Sequence, residues 1–102
     1  MQIHIDSSVE KFIYSLETQT VAKVLRTIDL LEKFGSYLST PHSKKIIDSL
    51  FELRARGQQE VRIFYCFHKN QIYLLSGYIK KSEKAPQKEI EKALNKYRIL
   101  TA

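Results

Sequence analysis

"LFELRARGQQEVRIFYCFHKNQIYLLSGYIKK", residues 50–81, decides the fold class. Leu50-Phe51-Glu52-Leu53-Arg54 alternates, with Phe51 and Leu53 on one side and Glu52, Arg54 and Arg56 on the other. That period of two belongs to a half-covered strand. Gly57-Gln58-Gln59 reads as a turn. Val61 to His68 is rich in β-branched and aromatic residues, which favour strands. Val61, Ile63, Tyr65 and Phe67 share one of its faces, and Arg62, Phe64, Cys66 and His68 share the other. Lys69-Asn70-Gln71 makes a second turn. Ile72 to Ile79 is then apolar on both faces, as in a central strand covered on both sides. Three strands on short turns form an antiparallel meander.

Upstream, Ile3-His4-Ile5 predicts a short strand that can add an edge to the meander. Ser7 followed by Glu10 fits a capping box, and Val9, Phe12, Ile13 and Leu16 fall on one helical face. Thr20 is positioned to cap a second helix, whose stripe is Val21, Val24, Leu25, Ile28 and Leu31 and which ends near Gly35. A loop containing Pro41 covers 36–43. Downstream, Pro86 suits the first position of a last helix with the stripe Ile90, Ala93, Leu94 and Tyr97. Lys84, Lys88, Lys92 and Lys96 recur every four residues along that helix. The element order β-α-α-β-β-β-α predicts an α+β fold. In this reading an antiparallel meander of three strands, four with an added edge strand, packs on helices.

The 102 residues form one domain, 1–102, in this reading. The start of the chain has no basic region ahead of an apolar one, and no apolar run reaches the ~20 residues of a membrane helix, so neither signal peptide nor membrane contact is expected. One cysteine suits a reducing compartment, hence a cytoplasmic protein. The net charge of +6 is unevenly placed. Residues 1–39 hold four basic and five acidic side chains, whereas 40–102 hold thirteen and six. The second half is expected to face a polyanion.

The three histidines and Cys66 lack ligand spacing, so neither a metal nor another cofactor is expected. Three glycines build no phosphate loop. Cys66, in mid-strand between aromatics, reads as a small core residue. Arginines are more informative. Pairing of the first two meander strands brings Arg54 or Arg56 beside Arg62, and adjacent guanidinium groups suit phosphate oxygens. Lys80 and Lys81 follow at the end of the neighbouring strand. On the alternative reading, Glu52 neutralises one arginine and the others are plain solvated charges.

"PHSKKIIDSLFELRARGQQEVRIFYCF" (41–67) and "IYLLSGYIKKSEKAPQKEIEKAL" (72–94) together resemble HigB-type toxins of the RelE/ParE toxin–antitoxin superfamily. The shared features are a proline, two lysines, "LFELR", "RIFY", an apolar strand ending in two lysines, and "PQKEI", over residues 36–98. The resemblance implies a RelE-like fold, two N-terminal helices packed on a curved antiparallel sheet of three to four strands with a C-terminal helix. It also implies a metal-free mRNA interferase (an endoribonuclease) that blocks translation, acting with the ribosome and held by a cognate antitoxin of helix-turn-helix type. In that chemistry the ribose 2′-oxygen attacks the adjacent phosphorus. The resemblance puts Arg62 first among catalytic residues, with Lys81 and Arg54 beside it. Lys80, Lys84, Lys88, Lys92 and Arg56 are the expected RNA-binding residues, and the amides opening the last helix add to the anion site. Leu50 and Glu52 stand where RelE has lysines, and its tyrosine after the last strand has no match near Gln87. Proton transfer then falls to Tyr97, His68 or Glu52, or to charge stabilisation by lysine alone. Two other functions fit a chain of this kind: a ParE-like toxin acting on gyrase, and a non-catalytic RNA-binding module using Phe64 for stacking.

Overall fold

A computed structural model describes all residues, 1–102. Its elements are β1 (Ile3–Ile5), α1 (Ser7–Tyr14), α2 (Thr18–Phe34), β2 (Ser43–Ile47), β3 (Leu50–Ala55), β4 (Val61–His68), β5 (Gln71–Ile79) and α3 (Gln87–Thr101). The class is α+β, with three helices and one mixed five-stranded sheet in the order β1-β5-β4-β3-β2. The expectation of three to four antiparallel strands is corrected in two ways. Strand β1, expected ahead of both helices, joins the sheet edge at β5 in parallel and not antiparallel. Strand β2 adds a fourth antiparallel member, paired with β3. Its pattern hid it: Lys44 and Lys45 point to solvent at a sheet edge, and a register shift between Lys45 and Ile47 breaks the alternation.

The two faces of the sheet carry two cores. Helices α1 and α2 cover one face, burying Val9, Ile13, Val24 and Leu31 against Leu53, Val61, Ile63, Tyr65 and Leu74. Helix α3 covers the other, packing Ala93, Leu94 and Tyr97 with Leu50, Phe64, Cys66 and Tyr78. Strand β4 is therefore buried on both faces, not only on its aliphatic side. Gly77 shows how closely α1 sits: a Cβ there would lie 2.6 Å from Phe12 Cδ2.

Several boundaries move by a residue or more. Asp6, not Ser7, caps α1 by accepting from the Ser8 amide. Helix α2 starts with Glu17 as its cap, whose amide donates to Gln59 Oε1 at 3.1 Å; Thr20 lies buried inside the helix. Gly35 closes it with φ of 54°, a conformation that glycine tolerates best. Lys69 and Asn70 both have positive φ and form a two-residue hairpin turn, leaving Gln71 in β5. Pro86 is the cap of α3 and not its first residue.

Candidate nucleic-acid interface

Strand register gathers the basic residues at one end of the sheet. Ala55, Val61 and Ile79 form one row across β3, β4 and β5, and Arg54, Arg62 and Tyr78 form the next. Just beyond the first row lie Arg56, Glu60 and Lys80, with the Lys80 amide donating to Glu60 O at 2.7 Å. The result is an open depression lined by Arg56, Glu60, Arg62, Lys80, Lys81, Ser82 and Glu83, without one apolar residue.

Arg62 lies beneath this depression and is 2% exposed. Although it lies on the polar face of β4, its side chain is covered and not solvated. The polar face of β4 is the face that α3 covers, so Arg62 is held by acids. Its Nε lies 3.5 Å from Glu52 Oε1, without the alignment of a hydrogen bond, and its NH1 donates to Glu60 Oε2 at 3.2 Å. Glu52, 3% exposed, also accepts from Arg54 Nε at 3.1 Å and from the Tyr78 hydroxyl at 3.2 Å. One carboxylate thus ties together two arginines and a tyrosine, which removes the like-charge repulsion of the Arg54–Arg62 pair. Burial, together with the Glu52 carboxylate, pushes the Tyr78 phenol up to about 12.

The remaining expected residues are dispersed. Lys80 and Lys81 line the depression with Arg56, and none of the three makes an ion pair. Arg54 stands opposite Arg62 on the neighbouring strand, spent on Glu52. Lys84, Lys88 and Lys92 do not line it, nor do the first residues of α3. Lys92 pairs with Glu89 at 3.6 Å. Lys96 leaves the basic series altogether: its ammonium donates to Asp6 Oδ2 at 2.9 Å, Ser8 Oγ at 2.6 Å and Leu75 O at 3.0 Å, binding α3 to the start of α1. Burial raises the Asp6 carboxyl, but the hydrogen bonds from Ser8 and Lys96 outweigh it and hold the group below its ordinary value.

Tyr97 packs in the apolar cluster under α3. His68 pairs with Gln71 at the far end of β4, six residues and roughly 20 Å from Arg62. Phe64 is fully buried and offers no stacking surface. Burial pushes the Cys66 thiol up to about 11, which keeps it inert. Glu60 and Glu83 were not legible as site residues; only the pairing of β4 with the end of β5 brings them to the lysines. No group of three or more His, Cys, Asp or Glu side chains is close enough to hold a metal ion, and no helix is long and apolar enough to cross a membrane.

Among known families, the model described as "Phage derived protein Gp49-like (DUF891)" matches residues 11–98. No curated protein matches the chain.

Proposed function

We propose, from the chain's belonging to the Gp49-like family of phage-derived proteins, a family associated with RelE-like toxins, that it is the toxin of a toxin–antitoxin pair and cleaves mRNA. The observation that carries the reading is the depression at the end of β3, β4 and β5, where Arg56, Lys80 and Lys81 stand unpaired around the buried Arg62. Membership of a toxin-like family favours an antitoxin partner, and the helix-turn-helix type, the ribosome and cytoplasmic action belong to the same proposal.

The step begins with a single-stranded RNA phosphate in the depression. Lys80 and Lys81 neutralise its oxygens, and the Arg62 fork below stabilises the charge that develops on the phosphorane. The 2′-hydroxyl gives its proton to a base and its oxygen bonds to phosphorus. The bond from phosphorus to the 5′-oxygen breaks, and that oxygen takes a proton. The products are a 2′,3′-cyclic phosphate and a free 5′-hydroxyl. In this reading Glu60, at 40% side-chain exposure, accepts the first proton and Lys81 donates the second, both lining the depression. Glu52, itself held by Arg54, orients Arg62. Tyr97, inside the α3 core, takes no part in this arrangement.

The test is a pulse of expression followed by mapping of mRNA 5′ ends, comparing wild type with Lys81→Ala. Cuts bearing 5′-hydroxyls, lost by ~10²-fold or more in the variant, are expected from removal of one preorganised charge. Growth arrest without RNA cuts would refute the nuclease. A second reading, a ParE-like toxin acting through protein contact alone, draws on the charge matching of Arg54 and Arg62 by Glu52 and Glu60. It predicts DNA damage in place of cleaved mRNA.

A further inference from the structure

At the same end of the sheet, on the α2 side, lies a second polar groove. Its lining includes Gln19, Lys23 and Arg26 of α2, and Arg56, Gln58 and Gln59 of the β3–β4 turn. The linear sequence gave no reason to join these residues, because Lys23 and Arg26 sit on a helix of mixed charge some thirty positions before Arg56. In the fold, Arg56 lines both this groove and the depression over Arg62. The two are neighbours around one arginine.

The groove is a built feature. Gln59 Oε1 accepts from the Glu17 amide, which fastens the turn to the start of α2. The Lys23 stem lies against the turn at Gly57, with Cδ 3.8 Å from where a Cβ would be. No acidic residue lines the groove, and Lys23, Arg26 and Arg56 form no ion pair anywhere in the protein. Three positive charges held together without counter-charge, among amide side chains able to donate and accept, match a phosphodiester backbone. A protein partner is a poorer fit. Protein interfaces have an apolar, aromatic-rich centre, whereas the only apolar residues in this groove are two alanines, Ala22 and Ala55. The apolar surface that a protein would seek lies elsewhere, around Ile5, Ile99 and Leu100.

We infer that single-stranded RNA runs from the Lys80–Lys81 depression over Arg56 into the α2 groove, where Lys23 and Arg26 hold phosphates flanking the one over Arg62. This inference rests on the proposed function and extends it from one reactive phosphate to a bound strand. With no aromatic side chain in either part, the contact is to the backbone and tolerates any base.

The experiment titrates salt against the affinity of a labelled single-stranded oligoribonucleotide of about twelve nucleotides. It compares wild type, Lys23→Gln/Arg26→Gln and Lys80→Gln/Lys81→Gln, with polyglutamate as a second probe and circular dichroism as the folding control. Each lost phosphate contact removes ~0.7 from the slope of log affinity against log salt, so each double variant should lose about 1.4. Single substitutions at Lys23 and Arg26, both exposed, should each lose about half of that. A wild-type protein that does not bind the oligonucleotide overturns this inference, whereas the proposed function stands or falls separately on the 5′-hydroxyl cuts mapped in cellular mRNA. A slope flattened by the Lys80–Lys81 variant but not by the Lys23–Arg26 variant overturns this inference alone. A Lys23–Arg26 variant that keeps its RNA slope but loses polyglutamate assigns the groove to an acidic protein segment, and equally overturns it.

Discussion

Replacing Arg62 by alanine should destabilise this protein severely, although the residue lies beneath the depression proposed to bind RNA. Its side chain is 3% exposed and faces Glu52 at 3.5 Å and Glu60 at 3.2 Å. Glu60 is exposed enough to turn to water, but the Glu52 side chain, at 4% exposure, is not. Removing one partner of a buried ion pair typically costs ~3–5 kcal/mol, because the other charge is left uncompensated. Arg54 still holds Glu52 at 3.1 Å, which places the loss near the lower end, about 3 kcal/mol. For a domain of this size that lowers Tm by on the order of 15 °C. The assay is urea unfolding of wild type, Arg62→Ala, Glu52→Gln and the double variant, followed by circular dichroism. Once Arg62 is gone, neutralising Glu52 removes the stranded charge. The double variant should therefore lose less than the sum of the singles, by about 1–2 kcal/mol. An Arg62→Ala protein within about 1 kcal/mol of wild type, or strictly additive losses, would refute the reasoning. The same energetics make Arg62→Lys the better probe of catalysis, since it keeps a charge near Glu52 while removing the planar fork.

Gly77→Ala should cost ~1–3 kcal/mol in the same unfolding assay, because the added methyl would meet the Phe12 ring 2.6 Å away. An unchanged midpoint would show that α1 stands off β5. Raising the pH should unfold the protein through Tyr78. Its phenol titrates at about 12 in the folded state against an ordinary value of 10.0, so the contribution is intact below pH 10 and lost as pH rises through 12. Burial raises the Tyr65 phenol as well, so phenolate absorbance should show these two tyrosines ionising only as circular dichroism is lost, and Tyr78→Phe should remove one of them and weaken that alkaline limb. Cys66, buried and pushed up to about 11, should react with iodoacetamide only on unfolding, and fast labelling of the native protein would contradict its packing.

The meander was legible because each strand's neighbours in sequence encode its faces. Alternation in 50–56, β-branched and aromatic density in 61–68, and a two-sided apolar run in 72–79 each predict a strand, and the short turns leave antiparallel pairing as the natural connection. That pairing in turn carries Lys80 and Lys81 to the end where Arg62 begins β4. Strand β2 escaped notice because two lysines and a bulge erase the period that would announce it. Helix caps were misplaced by a residue or more, since Asp6, Ser7 and Ser8 are all competent caps and only the backbone chooses among them.

By itself, the sequence determined the α+β class, the strand faces and the basic character of one sheet end, all of which follow from side-chain order over a few residues. The tertiary structure decided which charges are available. Periodicity says that Arg62 and Glu52 share a face with Phe64, but not that α3 closes over that face and makes an ion pair of them. Nor does it say that Lys96 is spent on Asp6, or that Lys23 and Arg26 come to stand beside Arg56. The period of a strand or helix records direction, a local property of the backbone. Whether a charge pointing that way meets water, an acid or another cation depends on segments tens of residues distant, and is settled only when they pack.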